Sequence, residues 1–188
     1  ETYKGLALTY FSNYEYNKAI EDLYKSLKYF EKALKITNDY EIYFGYAVCL
    51  FETKQYQKAK EIFEELLLEY PNRMRLLLSI SYCEAYLGNK EKAIHYLKQV
   101  KVDQDKNYYL ATDDIHDFQI FEVYYFLEEY DLFLEECEKV IESFYFADWD
   151  HYFYTLWLKN ESEKFNKYID KYKNEMLEAI KEAKIDND

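Results

Sequence analysis

The chain has 188 residues, with 37 Asp and Glu against 24 Lys and Arg and a net charge of −13 at pH 7. Nothing in that balance offsets repulsion from phosphate, which excludes a general nucleic-acid or anionic-membrane binder. Three glycines and one proline leave no material for phosphate-cradling loops or a turn-rich all-β fold, and 21% aromatic residues, 24 of them Tyr, are too many for a disordered acidic tail.

No apolar run approaches the roughly 20 residues of a membrane span, and no signal peptide is visible, so no membrane association is expected. Cys49, Cys83 and Cys137 are widely spaced, odd in number and without a Cys-x-x-Cys pair. That pattern fits a reducing compartment and small buried side chains, and the expected location is cytoplasmic. The chain opens on Glu1 rather than Met, which predicts a fragment of a longer protein. Arg73 and Arg75 are the only arginines, and a Lys-, Asn-, Ile-, Phe- and Tyr-rich mixture is also what an AT-rich genome would encode.

Apolar residues recur at three- and four-residue spacing, which predicts helices throughout. A common frame repeats along the chain. The first copy, over residues 1–39, reads Tyr3, Leu6, Ala7, Tyr10, Tyr16, Ala19 and Leu23. The second, over 40–73, reads Tyr43, Tyr46, Ala47 and Leu50, then Tyr56, Ala59, Phe63 and Leu66, closing on Pro71. A third, over 74–112, reads Leu77, Ile80 and Ser81, then Gly88 at the turn, Ala93, Leu97 and Val100. The fourth, over 113–145, reads Ile120, Phe121, Tyr124, Tyr130, Phe133, Cys137 and Val140. The fifth, over 146–174, reads Trp149, Tyr152, Phe153, Leu156, Phe165, Ile169 and Tyr172, with a lysine- and glutamate-rich extension over 175–188.

This frame resembles the tetratricopeptide repeat, whose signature places a large residue, Leu-Gly, Tyr, Ala, a large residue and a terminal Pro at these offsets. The resemblance is specific in the first three copies and degenerate in the last two, where Phe133 and Phe165 stand at Ala positions. It implies one all-α domain over 1–188, a right-handed superhelical solenoid of about five antiparallel helix pairs with a C-terminal capping helix. No pair buries its apolar face alone, so neighbours must stack. Tyr3 to Tyr43 is six residues longer than the ideal of about 34, which predicts that the first copy's second helix runs on to Ile36. A similar excess before Asp117 predicts a loop or short turn over 102–112. The last helix is expected from Ser162 to Lys184.

No pattern for catalysis stands out. His95, His116 and His151 are isolated, without a paired metal-ligand spacing. The run Asp113, Asp114, Ile115, His116, Asp117 reads as a helix start rather than a divalent-metal site. Neither Gly-x-Ser-x-Gly nor a Ser, His and acid arrangement is present. No enzyme activity, cofactor or metal is expected.

The first helix of each copy carries a second apolar stripe beside the core stripe. It comprises Leu8 and Phe11; Phe44, Val48 and Phe51; Leu78, Tyr82, Ala85 and Tyr86; Phe118, Tyr125 and Phe126; and Tyr154, Trp157 and Leu158. The resemblance implies that this stripe faces a concave groove, either open to a partner or covered by curvature, an upstream segment or a second subunit. Codon bias alone does not place aromatics in register across five copies. Only Lys4 and Arg75 are basic at groove positions, so the carboxylate clamp of chaperone-binding relatives is not expected.

Residues 113–150 hold thirteen acids against the single base Lys139. The surface run Glu128, Glu129, Asp131, Glu135 and Glu136 is either a solubilising face or a landing site for a basic partner. The expected function is a non-catalytic protein- or peptide-binding module for a basic, amphipathic partner, with no nucleic acid. Three alternatives remain open: an immunity-type inhibitor of a basic protein, a peptide-sensing regulator with an upstream effector region, and a self-associating scaffold.

Overall fold

A computed structural model describes residues 2–100, 117–144 and 149–185. The expected loop over 102–112 and the run Asp113, Asp114, Ile115 and His116 lie outside the described residues. Within them the fold is all-α. Ten α-helices follow one another: α1 (Thr2–Asn17), α2 (Ile20–Leu34), α3 (Tyr40–Glu52), α4 (Tyr56–Glu69), α5 (Met74–Tyr86), α6 (Lys90–Leu97), α7 (Asp117–Phe126), α8 (Tyr130–Val140), α9 (Trp149–Leu158) and α10 (Ser162–Ile185). They group into two compact units, residues 1–115 and 116–188.

Each helix pair is joined by a turn with one residue in the left-handed region: Lys18, Lys54, Gly88, Glu128 and Asn160. Four of these turns close in the same way. The amide of the residue after the left-handed one reaches back to a carbonyl five residues earlier, as in Gln55 N to Leu50 O at 2.8 Å, Asn89 N to Glu84 O at 2.8 Å, Glu129 N to Tyr124 O at 2.9 Å and Glu161 N to Leu156 O at 2.9 Å. This is the Schellman closure, which satisfies carbonyls left over at a helix end. The first turn differs: Lys18 N bonds Tyr14 O at 2.7 Å, and Asn17 Oδ1 accepts from Ala19 N at 2.9 Å.

The turns also fix the register. Ala47, Ser81, Phe121 and Phe153 each stand seven residues before their left-handed residue, whereas Ala7 stands eleven before Lys18. The first copy's extra length therefore lies chiefly in α1, which has 16 residues against 13 in α3. The expectation that α2 carries it to Ile36 is corrected, because α2 ends at Leu34. Two first-copy motif positions change with it. Tyr16 is 93% exposed, and Ala19 is the residue capping α2 rather than a member of it. The buried Leu23 takes the place that Ala59 holds in the next pair.

In unit 1, each second helix packs on the next first helix, α2 on α3 and α4 on α5. One cluster joins Ala7, Leu23, Phe30, Ala33, Ile42 and Cys49. The next joins Ala47, Leu50, Ala59, Phe63, Leu66, Leu76, Ile80 and Cys83. Small residues make the approach close. A Cβ added at Gly45 would lie 2.5 Å from the Phe30 ring. Ser26 Oγ donates to Ala7 O, and Ser81 Oγ to Ala93 O, both at 2.8 Å. Cys49 and Cys83 are fully buried, and burial pushes both thiols up to about 12. Thiols so placed are packing residues, not nucleophiles.

One ion pair is buried in unit 1. Glu84, 1% exposed, accepts from Lys60 Nζ at 3.1 Å and from Asn89 Nδ2 at 2.6 Å. Burial works against the Lys60 ammonium, but the Glu84 hydrogen bond and the Glu64 and Glu84 charges outweigh it and hold its pKa above the ordinary value.

In unit 2, α7 packs on α8, α8 on α9 and α9 on α10. Aromatic rings fill this core. Trp149, Tyr152 and Phe133 are buried, and Phe121 meets Phe133 edge-on at 5.9 Å. Trp149 stacks on Phe153 at 5.3 Å, while Phe153 meets Phe165 at 4.9 Å. The Trp149 indole N–H donates to Glu175 of α10 at 2.9 Å, which fixes where α10 runs along α9.

Candidate functional site: the first-helix face and the acidic helix

Much of the second stripe in unit 1 is engaged in packing. Phe11 lies half-buried against the cluster around Ala7. Phe44, Val48 and Phe51 lie half-buried against the cluster around Ala47. Leu78, expected on the groove, is 3% exposed; Leu76, Leu77 and Leu78 are buried in succession, so α5 has no open face at its first turn. The open part lies further along α5. Tyr86 is 44% exposed; it stacks on Tyr56 at 4.9 Å and takes the edge of Phe51 at 5.2 Å. Tyr82 meets Phe51 edge-on at 6.2 Å. Tyr56 was missed as a member of this surface because it belongs to a second helix, and only the turn brings it beside the stripe.

The basic residues of the unit 1 stripe are occupied. Lys4 pairs with Glu41 and with Asp39. The guanidinium of Arg75 sits over the Phe44 ring at 5.9 Å, and that of Arg73 over Tyr40 at 4.7 Å. At the start of the stripe, Tyr14 donates to Glu52 at 2.7 Å. That hydrogen bond, with burial, pushes its hydroxyl up to about 12.

Unit 2 leaves more of its stripe open. Trp157 is 66% exposed, Tyr154 48% and Phe126 49%, while the side chain of Phe118 lies outside the described residues. Tyr154 and Trp157 are one turn apart on α9, their rings 5.9 Å apart. Tyr125 of α7 is half-buried and meets His151 edge-on at 4.2 Å. Its hydroxyl pKa is raised first by burial and then by Tyr130 and Tyr154 nearby. An open pocket of about 270 Å³ lies beside Trp157, lined by Leu156, Asn160, Ser162, Phe165 and Asn166.

The acidic run lies along α8 and the turn before it. Glu128 holds the left-handed turn position, and Glu129 stands at the N-terminal cap of α8. The fold supplies bases that the local sequence lacks. Asp131 pairs with Lys159 at 2.7 Å, Glu138 with Lys164 at 2.6 Å and Glu142 with Lys171 at 3.3 Å. Glu136 and Glu135 pair with Lys139 at 2.8 and 3.8 Å. The acidic face is thus partly neutralised by the next helix pair, a contribution that counting charges over 113–150 alone leaves out. Unit 2 still carries 19 Asp and Glu against 8 Lys, a net of −11, while unit 1 carries 18 acids against 16 bases.

Among the described residues, no group of three metal-ligating side chains comes together, and no helix is long and apolar enough to cross a membrane. The fold and its first-helix surfaces define an all-α helical-repeat protein. A family model described as tetratricopeptide repeat matches residues 10–80, which supports a tetratricopeptide repeat in the first half of the chain. Neither the curated proteins nor the solved structures include a significant match. Tetratricopeptide repeats generally mediate protein–protein interactions and are typically non-catalytic.

Proposed function

We propose that the chain is a binding module for a basic, amphipathic protein segment, using aromatic anchors on its first helices and the acidic charge of unit 2. The exposed aromatic residues Tyr86, Tyr154 and Trp157 on first-helix faces carry this reading. Rings of this size left in water on a repeat's first helices are the anchors that hot-spot energetics favours. The net of −11 in unit 2 supplies long-range attraction to a cationic partner and repels acidic competitors.

Selection of a random-peptide display library on the immobilised chain tests this. Enriched sequences should pair Lys or Arg with Phe, Leu or Trp. Tyr86→Ala and Trp157→Ala should mainly raise dissociation rates, each costing about 1–3 kcal/mol. Reversing Glu128, Glu129 and Asp131 to Lys should mainly slow association, and salt should shrink that effect. Enrichment of acidic peptides, or binding indifferent to all of these changes, would overturn the reading.

A further inference from the structure

We infer that the first-helix face of unit 2, built by Tyr125, Tyr154 and Trp157, binds arginine side chains of the partner; this rests on the binding-module reading above. The chain's own rings hold cations, a few of its lysines (Lys18, Lys25 and Lys32 in unit 1) but every arginine it has. Its two arginines both lie in unit 1, and both sit over aromatic rings of the preceding first helix, Arg73 over Tyr40 at 4.7 Å and Arg75 over Phe44 at 5.9 Å. Unit 2 has no arginine. Its described cation–ring contacts use Lys167 over Tyr168 and Lys171 over Trp149, and among the described residues no cation lies over Tyr125, Tyr154 or Trp157. Arg73 and Arg75 cover rings near the start of α3, whereas Tyr154 and Trp157, near the end of α9, are 48% and 66% exposed.

Charge selects the same ligand. Asp150 is exposed, one helical turn before Tyr154 and two before Trp157, so it lies on the same side of α9 as the rings. Glu128 is exposed in the turn after α7, three residues after Tyr125. A ring beside a carboxylate suits a guanidinium in particular. The planar group stacks on the ring while its edge donates to the acid, and it sheds water more readily than an ammonium. Lysine, a compact and strongly hydrated charge, profits from the carboxylates but less from the rings. The preference for Arg over Lys is therefore the signature of this site rather than of the net charge.

The test uses fluorescein-labelled hexa-arginine and hexalysine peptides, titrated into the full chain at pH 8 and followed by anisotropy. Hexa-arginine should bind about fivefold or more tighter than hexalysine, and Trp157→Leu should weaken it about tenfold, whereas Trp157→Phe, which keeps a ring, should stay within about threefold. Unlabelled hexa-arginine should also change the emission of the wild-type chain, and the change should come from Trp157, because Trp149 is fully buried. Equal affinity for the two peptides, or a Trp157→Leu chain that melts like wild type and binds hexa-arginine unchanged, would overturn the assignment. Display-selected peptides that depend on Tyr86 while hexa-arginine ignores Trp157 would leave the module reading standing and remove only the arginine site.

Discussion

Five residues after the left-handed turn, unit 1 places Leu23, Ala59 and Ala93, while unit 2 places Phe133 and Phe165. Seven residues before it, Ala47 and Ser81 in unit 1 correspond to Phe121 and Phe153 in unit 2. One backbone frame is thus filled in two ways. Small residues let the helices of unit 1 approach until a Cβ at Gly45 would strike Phe30. Rings fill the corresponding positions of unit 2, with Trp149 and Tyr152 fully buried among them. The charges divide along the same line, near neutral in one unit and −11 in the other. Equivalent positions should therefore respond to substitution in opposite senses.

The sharpest break is Phe133→Ala. It should leave a cavity in unit 2 and cost about 3–5 kcal/mol, read as a lower denaturation midpoint in tryptophan fluorescence, since both tryptophans lie in unit 2. In unit 1, Lys60→Met would strand the Glu84 carboxylate and should cost about 3 kcal/mol or more, read by circular dichroism. The double variant Lys60→Met, Glu84→Met should recover much of that loss. The counterpart of the first change, Ala59→Phe, should overpack unit 1 by about 1–3 kcal/mol. A neutral Ala59→Phe would show that the two units do not differ in helix spacing.

The units should also part on alkaline titration. Cys49 and Cys83 stay protonated to about 12 in the folded chain but ionise near 8.5 when unfolded. Their contribution is complete below that unfolded value and is lost as pH climbs toward 12. In unit 2 two buried hydroxyls shift, Tyr124, raised to about 12, and Tyr152, raised further, both by burial first. Their contribution begins to fall only above the unfolded tyrosine value near 10. Alkylation mapped to Cys49 and Cys83 should therefore begin at a lower pH than the ionisation of Tyr124 and Tyr152 read by tyrosinate absorbance. Smallest of all, Gly88→Ala should cost about 1 kcal/mol and Lys54→Gly should gain somewhat less, because only glycine takes the left-handed turn without strain.

The spacing of Tyr43, Ala47, Ala59 and Phe63 was enough to read helix pairs, since it reports which face each helix must bury. The first copy was harder. Ala19 looked like Ala59 in the sequence, yet a longer α1, closed by Lys18 N on Tyr14 O, moved the register by one helical turn and left Tyr16 in water. Leu78 could not be told from Tyr86, because both continue one apolar stripe, and only packing decides which part of a stripe is covered. The partners Lys159, Lys164 and Lys171 were equally hidden, lying 26 to 29 residues from the acids they meet.

The sequence by itself determined the all-α class, the recurrence of helix pairs and the concentration of acid in the second half, because periodicity and composition are local properties of the chain. The tertiary structure decided which aromatic residues remain open to a partner and which charges are already answered, because burial and ion pairing depend on neighbours brought from distant parts of the chain.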